Sequence, residues 1–232
     1  KLGSDKFKFY AGVSYRHCLV WAKGEPHPGV LTPPHDISDR KITDYIPKGD
    51  YIAELYDMMK KSYDLLMEHP VNKKRIAEGK RPANSIWLWG EGTKPKLDSF
   101  KGKFGKSASM ISAVDLLKGI GKCAEMNVCQ VEGATAYIDT NFNGKVQAAI
   151  DELKKGQDFV YIHIEAPDEA GHASDTAEKV RAIEQIDKHI VGPVLDSLKG
   201  QDFKAAILPD HPTPVSVGTH TRDDVPLIIY SS

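Results

Sequence analysis

The chain has 232 residues, of which 41% are hydrophobic and 27% are charged, and its formal net charge is −1 at pH 7. This is the balance of a globular protein with a sizeable core, and it excludes bulk electrostatic attraction to a nucleic acid or a membrane surface. No apolar run approaches the roughly 18 residues that a membrane-spanning helix needs. Cys18, Cys123 and Cys129 are an odd number without CxxC spacing, so we expect no disulfide framework and a reducing, cytoplasmic location.

The first third of the chain predicts a small α+β unit. Residues 7–21 are rich in aromatic and β-branched residues and predict strands. A loop with several prolines follows, and apolar residues at helical spacing then predict a helix over residues 51–68, which should end at His69-Pro70. We place a domain boundary near residue 84, which divides the chain into residues 1–83 and 84–232.

Beyond residue 84, strand-like and helix-like patterns alternate. The predicted strands cover residues 85–90, 127–131, 158–165, 203–210 and 226–230, and the predicted helices cover residues 112–126, 143–156 and 175–198. This alternation predicts an α/β fold with a mainly parallel sheet and helices on both faces. Asp175 and Glu178 form a capping box at the start of the last helix, and Pro193 should kink that helix.

Carboxylates and histidines lie where three loops should meet at one edge of this sheet. They are Asp168 and His172 in "DEAGH", Asp210 and His211 in "PDHP", and His220 in "GTHT". Ligands of open α/β sheets bind beyond the carboxyl ends of the strands. Carboxylate and imidazole groups without a nearby cysteine suit Zn²⁺, Mn²⁺ or related ions. Because five ligands exceed what one catalytic ion usually takes, the pattern suggests a two-metal site of the kind used in phosphoryl transfer.

Each of these residues also has an ordinary explanation when it is taken alone. Asp168 could be a helix N-cap, Asp210 a turn residue and His220 a surface histidine. Their coincidence at the edge where ligands bind favours the metal site. By contrast, we expect His163, which lies inside a predicted strand, to be a core or supporting residue, and His189 to be structural.

Four stretches together resemble a known family. They are "LMEHPVNKKRIAEGKRPAN", "ISAVDLLKGIGKCAEMNVCQVEGATAYIDTNF", "DFVYIHIEAPDEAGHASDTAEKVRAIEQIDKHIVGPVLDSL" and "PDHPTPVSVGTHTRDDVPLIIY". Over nearly its whole length the chain resembles the archaeal-type, cofactor-independent (2,3-bisphosphoglycerate-independent) phosphoglycerate mutases of the alkaline phosphatase superfamily. The resemblance implies an alkaline-phosphatase-like sandwich in residues 84–232 and a remnant of an inserted α+β substrate-binding domain in residues 1–83.

The resemblance also implies an activity and a set of ligands. Asp168, His172 and His220 would hold one metal ion, and Asp210 and His211 would belong to a second. The two ions would be Mn²⁺, or Mg²⁺, Zn²⁺ or Co²⁺, and no 2,3-bisphosphoglycerate would be needed. The implied reaction interconverts 3-phosphoglycerate and 2-phosphoglycerate in glycolysis and gluconeogenesis through a phosphoserine.

The chain departs from the family at its beginning. The family supplies a metal-binding Asp and the nucleophilic Ser from segments upstream of the matching region, and no stretch of this chain offers them. We therefore expect the chain to correspond to the C-terminal part of such an enzyme. Its partner would be the missing N-terminal part of the same enzyme, and the chain alone would be inactive.

Residues of the first unit are candidates for holding the phosphoglycerate. Arg16 and His17 in "SYRH" are the stronger pair, because a guanidinium matches carboxylate and phosphate geometry in a two-pronged manner. His35 and Asp36 in "PPHD" are the weaker pair. A strand-edge arginine on a solvated face would explain the first pair equally well, and an ordinary turn would explain the second pair. Two other functions stay open: a phosphatase, sulfatase or phosphopentomutase that uses the same metals, and an inactive metal-binding fragment.

Overall fold

The computed structural model describes residues 2–12, 16–37 and 40–232, and the chain divides into two compact units, Lys1–Pro95 and Lys96–Ser232. The first unit contains an antiparallel hairpin of β1 (Phe7–Tyr10) and β2 (Cys18–Trp21). It also contains helix α1 (Ile52–Met67). Phe7 lies opposite Trp21, with ring centroids 5.5 Å apart, and packs with the buried face of α1. The strands and the helix predicted in this region are confirmed.

Helix α2 (Pro70–Ala77) follows α1 directly. The predicted end of α1 before Pro70 is confirmed, but the proline also begins a new helix, because a residue in the first turn needs no N–H donor. The Nδ1 atom of His69 accepts the Val71 N–H at 3.3 Å and caps this helix. The sequence pattern did not predict α2, since half of its eight side chains are polar or charged and its apolar residues form no stripe.

The strand predicted over residues 85–90 is wrong. Residues 84–95 form no strand, and Ile86 and Leu88 instead pack against the core of the first unit. The Ile86 N–H bonds to the Ser62 hydroxyl at 2.9 Å, and the Trp87 indole N–H bonds to the Thr32 carbonyl at 2.7 Å. The boundary between the two compact units falls between Pro95 and Lys96, after this segment of the chain.

A parallel sheet forms the centre of the second unit. Its strand order is β4 (Asn127–Cys129), β3 (Ala108–Ile111) and β5 (Phe159–Ile162). All four residues of β3 are buried, as expected of a central strand covered on both faces. This strand was missed in the sequence, because "ASMI" is short and mixes small and polar residues with apolar ones.

Helices cover both faces of this sheet, so the predicted α/β fold is confirmed. Helix α4 (Asp115–Cys123) packs against Met110 of β3 and Val128 of β4. Helix α5 (Phe142–Lys154) lies on the opposite face, where its Glu152 contacts Ser109 of β3. Alternate β3 residues make these two contacts, because side chains of a strand point to opposite faces in turn. A short helix α3 (Phe100–Phe104) precedes β3.

The predicted helix over residues 175–198 is present but interrupted. Helix α7 (Thr176–Ile186) begins with the predicted cap, in which the Asp175 carboxylate accepts the Glu178 N–H at 2.9 Å. A π-helical turn, Asp187–Val191, then leads into α8 (Gly192–Ser197). The π turn loosens the hydrogen-bond ladder just before Pro193, which has no N–H to donate, so the helix is interrupted close to where a kink was predicted.

The remaining elements of the second unit lie on either side of this helical stretch. Helix α6 (Ala166–His172) follows β5. Strands β6 (Lys204–Ile207) and β7 (Ile228–Ser231) form an antiparallel pair, with a long loop between them. Within the described residues no helix is both long and apolar enough to cross a membrane.

Candidate metal centre

Asp168 and His172 lie on helix α6 rather than on a loop, which corrects the expected position of "DEAGH". Residues four apart share one helix face, so the two side chains approach each other. The Oδ2 atom of Asp168 is 3.3 Å from Nε2 of His172. The helix forms here because Ala166 and Ala170 are buried on its other face and Pro167 occupies its first turn, where proline is tolerated. The short motif is therefore a helical pair with a fixed spacing.

Gly171 brings the β6–β7 loop against α6. A Cβ atom at this position would lie 2.3 Å from the Thr213 carbonyl oxygen, closer than real Cβ atoms approach. The same carbonyl accepts a hydrogen bond from Nζ of Lys179 at 2.6 Å. The glycine of "DEAGH" thus allows the loop with His211 to reach the helix with Asp168.

The loop adds two histidines to the helical pair. Ligand atoms of Asp168, His211 and His220 all lie within 4.8 Å of one another. The Nε2 atom of His220 is 3.4 Å from Oδ1 of Asp168, and the centroids of the His211 and His220 rings are 3.9 Å apart. Four of the five predicted ligands, namely Asp168, His172, His211 and His220, thus form one cluster.

The hydrogen bonds of His172 favour the form that binds metals. Its Nδ1 atom is 3.0 Å from the Gly218 carbonyl, which can only accept a hydrogen bond, so Nδ1 carries the proton. Nε2 then has its lone pair free, and it faces Nε2 of His220 at 3.1 Å and the Asp168 carboxylate. A metal-binding histidine commonly donates its other ring N–H to a carbonyl in this way. The residues present therefore fit a divalent ion such as Zn²⁺ or Mn²⁺.

Asp210 lies at the margin of this cluster. It is exposed, its carboxylate accepts the His211 N–H at 3.1 Å, and it lies 3.7 Å from Nε2 of the same histidine. His211, which the sequence groups with Asp210, also approaches Asp168 at 4.0 Å. The division of these residues between two metal ions stays a prediction.

Thr213 is a residue of the site that the sequence reasoning missed. It is buried, its hydroxyl donates a hydrogen bond to Oδ1 of Asp168, and it lies 3.4 Å from Nδ1 of His211. This bond orients the carboxylate toward the histidines. The only signal in the sequence was its place in "DHPTP", two residues after His211.

Burial shifts the pKa of two histidines, one in the cluster and one near it. Partial burial, reinforced by the nearby His211, lowers the pKa of His220 and favours its neutral, metal-binding form. Burial also lowers the pKa of His163, whose Nδ1 atom lies 3.3 Å from the Ser112 hydroxyl. His163 is half-buried directly after β5, in keeping with the supporting role expected for it.

The predicted substrate-binding residues belong to the first unit. Arg16 and His17 lie between β1 and β2 and are exposed, and Nδ1 of His17 accepts the Gly12 N–H at 3.2 Å. Asp36 is exposed on a short 3₁₀ turn, Pro34–Ile37. The side chain of His35 lies outside the described part of the chain. Their roles stay predictions.

Comparison with known families identifies the class of protein. The model of the Metalloenzyme superfamily matches residues 38–232, most of the chain, so the chain belongs to this superfamily. A second model, described as 2,3-bisphosphoglycerate-independent phosphoglycerate mutase, matches residues 1–72. The resemblance found in the sequence is confirmed by these two matches.

Individual relatives point the same way. The chain is 48% identical to a probable 2,3-bisphosphoglycerate-independent phosphoglycerate mutase of Geobacter sulfurreducens over 99% of this chain and 57% of the relative. It is 49% identical to the 2,3-bisphosphoglycerate-independent phosphoglycerate mutase of Methanosarcina barkeri over 99% of this chain and 58% of the relative. The chain thus spans little more than half the length of the curated relatives it matches.

Two solved structures share the fold. The PH0037 protein of Pyrococcus horikoshii is 36% identical, with a TM-score of 0.65 over 76% of this chain and 46% of that chain. A cofactor-independent phosphoglycerate mutase of Thermoplasma acidophilum is 23% identical, with a TM-score of 0.52 over 98% of this chain and 56% of that chain. At this lower identity the second likeness supports the fold alone.

Proposed function

We propose that this chain is the metal-binding part of a 2,3-bisphosphoglycerate-independent phosphoglycerate mutase, which interconverts 3-phosphoglycerate and 2-phosphoglycerate. The observation that carries the proposal is the state of His172, whose Nδ1 proton is held by Gly218 while Nε2 faces Asp168 and His220. The names of the relatives supply the reaction. Free thiols at Cys18, Cys123 and Cys129 accord with the cytoplasmic location that we propose for it.

The proposed site takes two divalent ions, with Mn²⁺ as the first choice and Mg²⁺, Zn²⁺ or Co²⁺ as alternatives. Asp168, His172 and His220 would hold one ion, and Asp210 and His211 would contribute to the other. When bound, such ions polarise a phosphate and lower the pKa of an attacking hydroxyl. The phosphoryl group would pass through a serine supplied from outside residues 1–232, in the N-terminal part that we propose as the partner of this chain.

Other residues of this chain are proposed to orient the metal ligands and to hold the substrate. Thr213 and the Gly218 carbonyl keep the Asp168 carboxylate and the His172 ring in place. Arg16, His17, His35 and Asp36 are proposed to hold the carboxylate and phosphate of the glycerate, because a mutase must keep its substrate while the phosphoryl group moves. Release of the intermediate would turn the enzyme into a phosphatase.

Metal binding tests the first part of the proposal. The 232-residue chain is titrated with Co²⁺, and the visible absorption of the bound ion is followed. We expect His172→Ala to raise the dissociation constant at least about tenfold, because it removes a ligand. His27→Ala is the matched control, since this exposed histidine lies in the first unit. An absence of Co²⁺ binding by the wild-type chain, or equal weakening in both variants, would contradict the metal site.

Product analysis tests the reaction. The polypeptide as the cell makes it is incubated with 3-phosphoglycerate and Mn²⁺, and ³¹P NMR follows the products. Formation of 2-phosphoglycerate without free phosphate supports a mutase, whereas release of phosphate without 2-phosphoglycerate supports a phosphatase of the same superfamily. For the 232-residue chain alone we expect no turnover, and formation of 2-phosphoglycerate by it would refute the absence of a nucleophile.

A further inference from the structure

A completely buried lysine lies in the unit that carries the candidate metal centre. Lys145 lies on the face of α5 that also carries Phe142, Val146 and Ala149, a position where an apolar side chain is the rule, and its exposed fraction is 0%. Burial lowers its pKa to about 8, the Glu165 carboxylate opposes this shift, and Lys118 adds to it. A buried amine is costly to the fold, so a specific contact should account for it.

That contact is with the main chain at the end of β5. Nζ of Lys145 donates a hydrogen bond to the His163 carbonyl at 3.4 Å. The His163 N–H donates to the Ile111 carbonyl at 2.8 Å, and its Nδ1 atom lies 3.3 Å from the Ser112 hydroxyl. His163 is therefore held by its carbonyl from α5 and by its N–H and its ring from the end of β3.

The path from His163 to the metal centre is short and tightly bonded. Glu165 is the N-cap residue of α6, and its carbonyl accepts the N–H groups of Asp168 at 2.8 Å and Glu169 at 3.2 Å. Ala166 is buried, which leaves the first turn little room to shift. The His163 carbonyl lies only two residues before this N-cap, so a shift of the carbonyl would reach the first turn of α6, which carries Asp168.

We infer that Lys145 is a positioning residue of the metal centre, and that its buried ammonium anchors the β5–α6 turn so that Asp168 meets His211 and His220. The inference rests on the proposed metal-binding function. A purely structural role does not account for the lysine, because a methionine would fill a similar volume without the cost of burying an amine.

The experiment compares Lys145→Met with Val146→Ala in the 232-residue chain. The second variant removes packing from the same helix and leaves the lysine donor in place. Co²⁺ affinity and the visible spectrum of bound Co²⁺ are measured together with Tm at pH 7. We expect Lys145→Met to raise the Co²⁺ dissociation constant about tenfold or more and to alter the spectrum, while its Tm does not fall below that of Val146→Ala.

Each outcome supports or overturns the positioning role of Lys145. Unchanged Co²⁺ affinity and spectrum in Lys145→Met overturn the positioning role and leave the metal site standing, whereas no binding by the wild-type chain overturns the site itself. Equal loss of affinity in both variants assigns Lys145 to general stability and overturns the inference. If Lys145→Met does not fold, Lys145→Gln, which keeps an N–H donor on a shorter side chain, takes its place. It should then bind Co²⁺ more weakly than the wild type but keep the spectrum, and wild-type affinity would refute the anchor.

Discussion

The substitution Gly171→Ala tests how closely the helix with Asp168 must approach the loop with His211. The new Cβ atom would lie 2.3 Å from the Thr213 carbonyl oxygen, 2.9 Å from Nζ of Lys179 and 3.0 Å from a Thr213 methyl group, whereas ordinary contacts begin at 3.4 Å. Since the carbonyl is main chain, helix and loop must separate by about 1 Å, twice the tolerance of about 0.5 Å that a functional site allows.

The expected losses of stability and of Co²⁺ affinity follow from this overlap. Overpacking of this kind costs about 1–3 kcal/mol of unfolding free energy, which for a unit of this size lowers Tm by roughly 3–10 °C. The separation of Asp168 from His211 and His220 should also weaken Co²⁺ binding by about tenfold or more. Thermal unfolding followed by circular dichroism and Co²⁺ titration measure the two effects.

Gly119→Ala is the matched control. Gly119 lies inside α4, and a Cβ atom there would meet nothing within 4 Å. Alanine is the better helix former, so this variant should be as stable as the wild type or more stable by up to about 1 kcal/mol, with unchanged Co²⁺ affinity. Gly171→Ala with wild-type Tm and wild-type Co²⁺ affinity would show that the close approach of helix and loop is not needed.

Three further changes have defined outcomes. Thr213→Val removes the hydroxyl that donates to Asp168, so it should weaken Co²⁺ binding about 10- to 100-fold in the titration. Lys145 has a pKa of about 8 in the folded chain against an ordinary value of 10.5, so the unfolded chain binds more protons between these two pH values. The buried ammonium therefore destabilises the fold below pH 8, and this effect should disappear as pH rises from about 8 to 10.5, as measured by urea unfolding. Glu152→Gln should cost about 1–3 kcal/mol at pH 7, because the buried carboxylate accepts hydrogen bonds from Ser109 and Asn127.

The controls for these changes come from the same chain. Thr221→Val removes a hydroxyl that bonds to exposed Asp223 and should leave Co²⁺ affinity unchanged. Lys145→Met should abolish the stabilising effect of alkaline pH, and an equal pH dependence in the variant would exclude Lys145 as its source. Hydrogen bonds from Lys155 and Ser109 lower the pKa of Glu152 to about 2 from 4.5. The stability that the Glu152 carboxylate contributes is therefore complete above pH 4.5 and lost as pH falls toward 2. If Glu152→Gln still unfolded more easily than the wild type at pH 2, this account would be contradicted.

The sequence predicted elements best where a local rule was strong. The Asp175–Glu178 cap and the interruption at Pro193 follow from hydrogen-bonding rules that act within a few residues, and both are present. The prediction failed for short segments. Residues 85–90 have a strand-like composition, but Ser62 and Thr32, and not a neighbouring strand, accept hydrogen bonds from the segment.

Helix α6, which carries the candidate metal ligands Asp168 and His172, was also too short to predict from the sequence. The sequence placed Asp168 and His172 just beyond a strand, which is correct, but the five residues of "DEAGH" are too few to reveal a helical period. The i, i+4 spacing of the two residues on one helix face emerged only with the structure. Strand β3 was missed for a similar reason, since its four residues are few and mix small, polar and apolar side chains.

The sequence by itself determined the chemistry of the candidate site: carboxylates and imidazoles at the ends of predicted strands, without thiolates, on an α/β scaffold. Tertiary structure decided which of these groups meet. His211 lies 43 positions beyond Asp168 in the chain, and the close packing of Gly171 against Thr213 accompanies the approach of their side chains to 4.0 Å. Local propensities act over a few residues, whereas the distances between ligands depend on how distant segments pack.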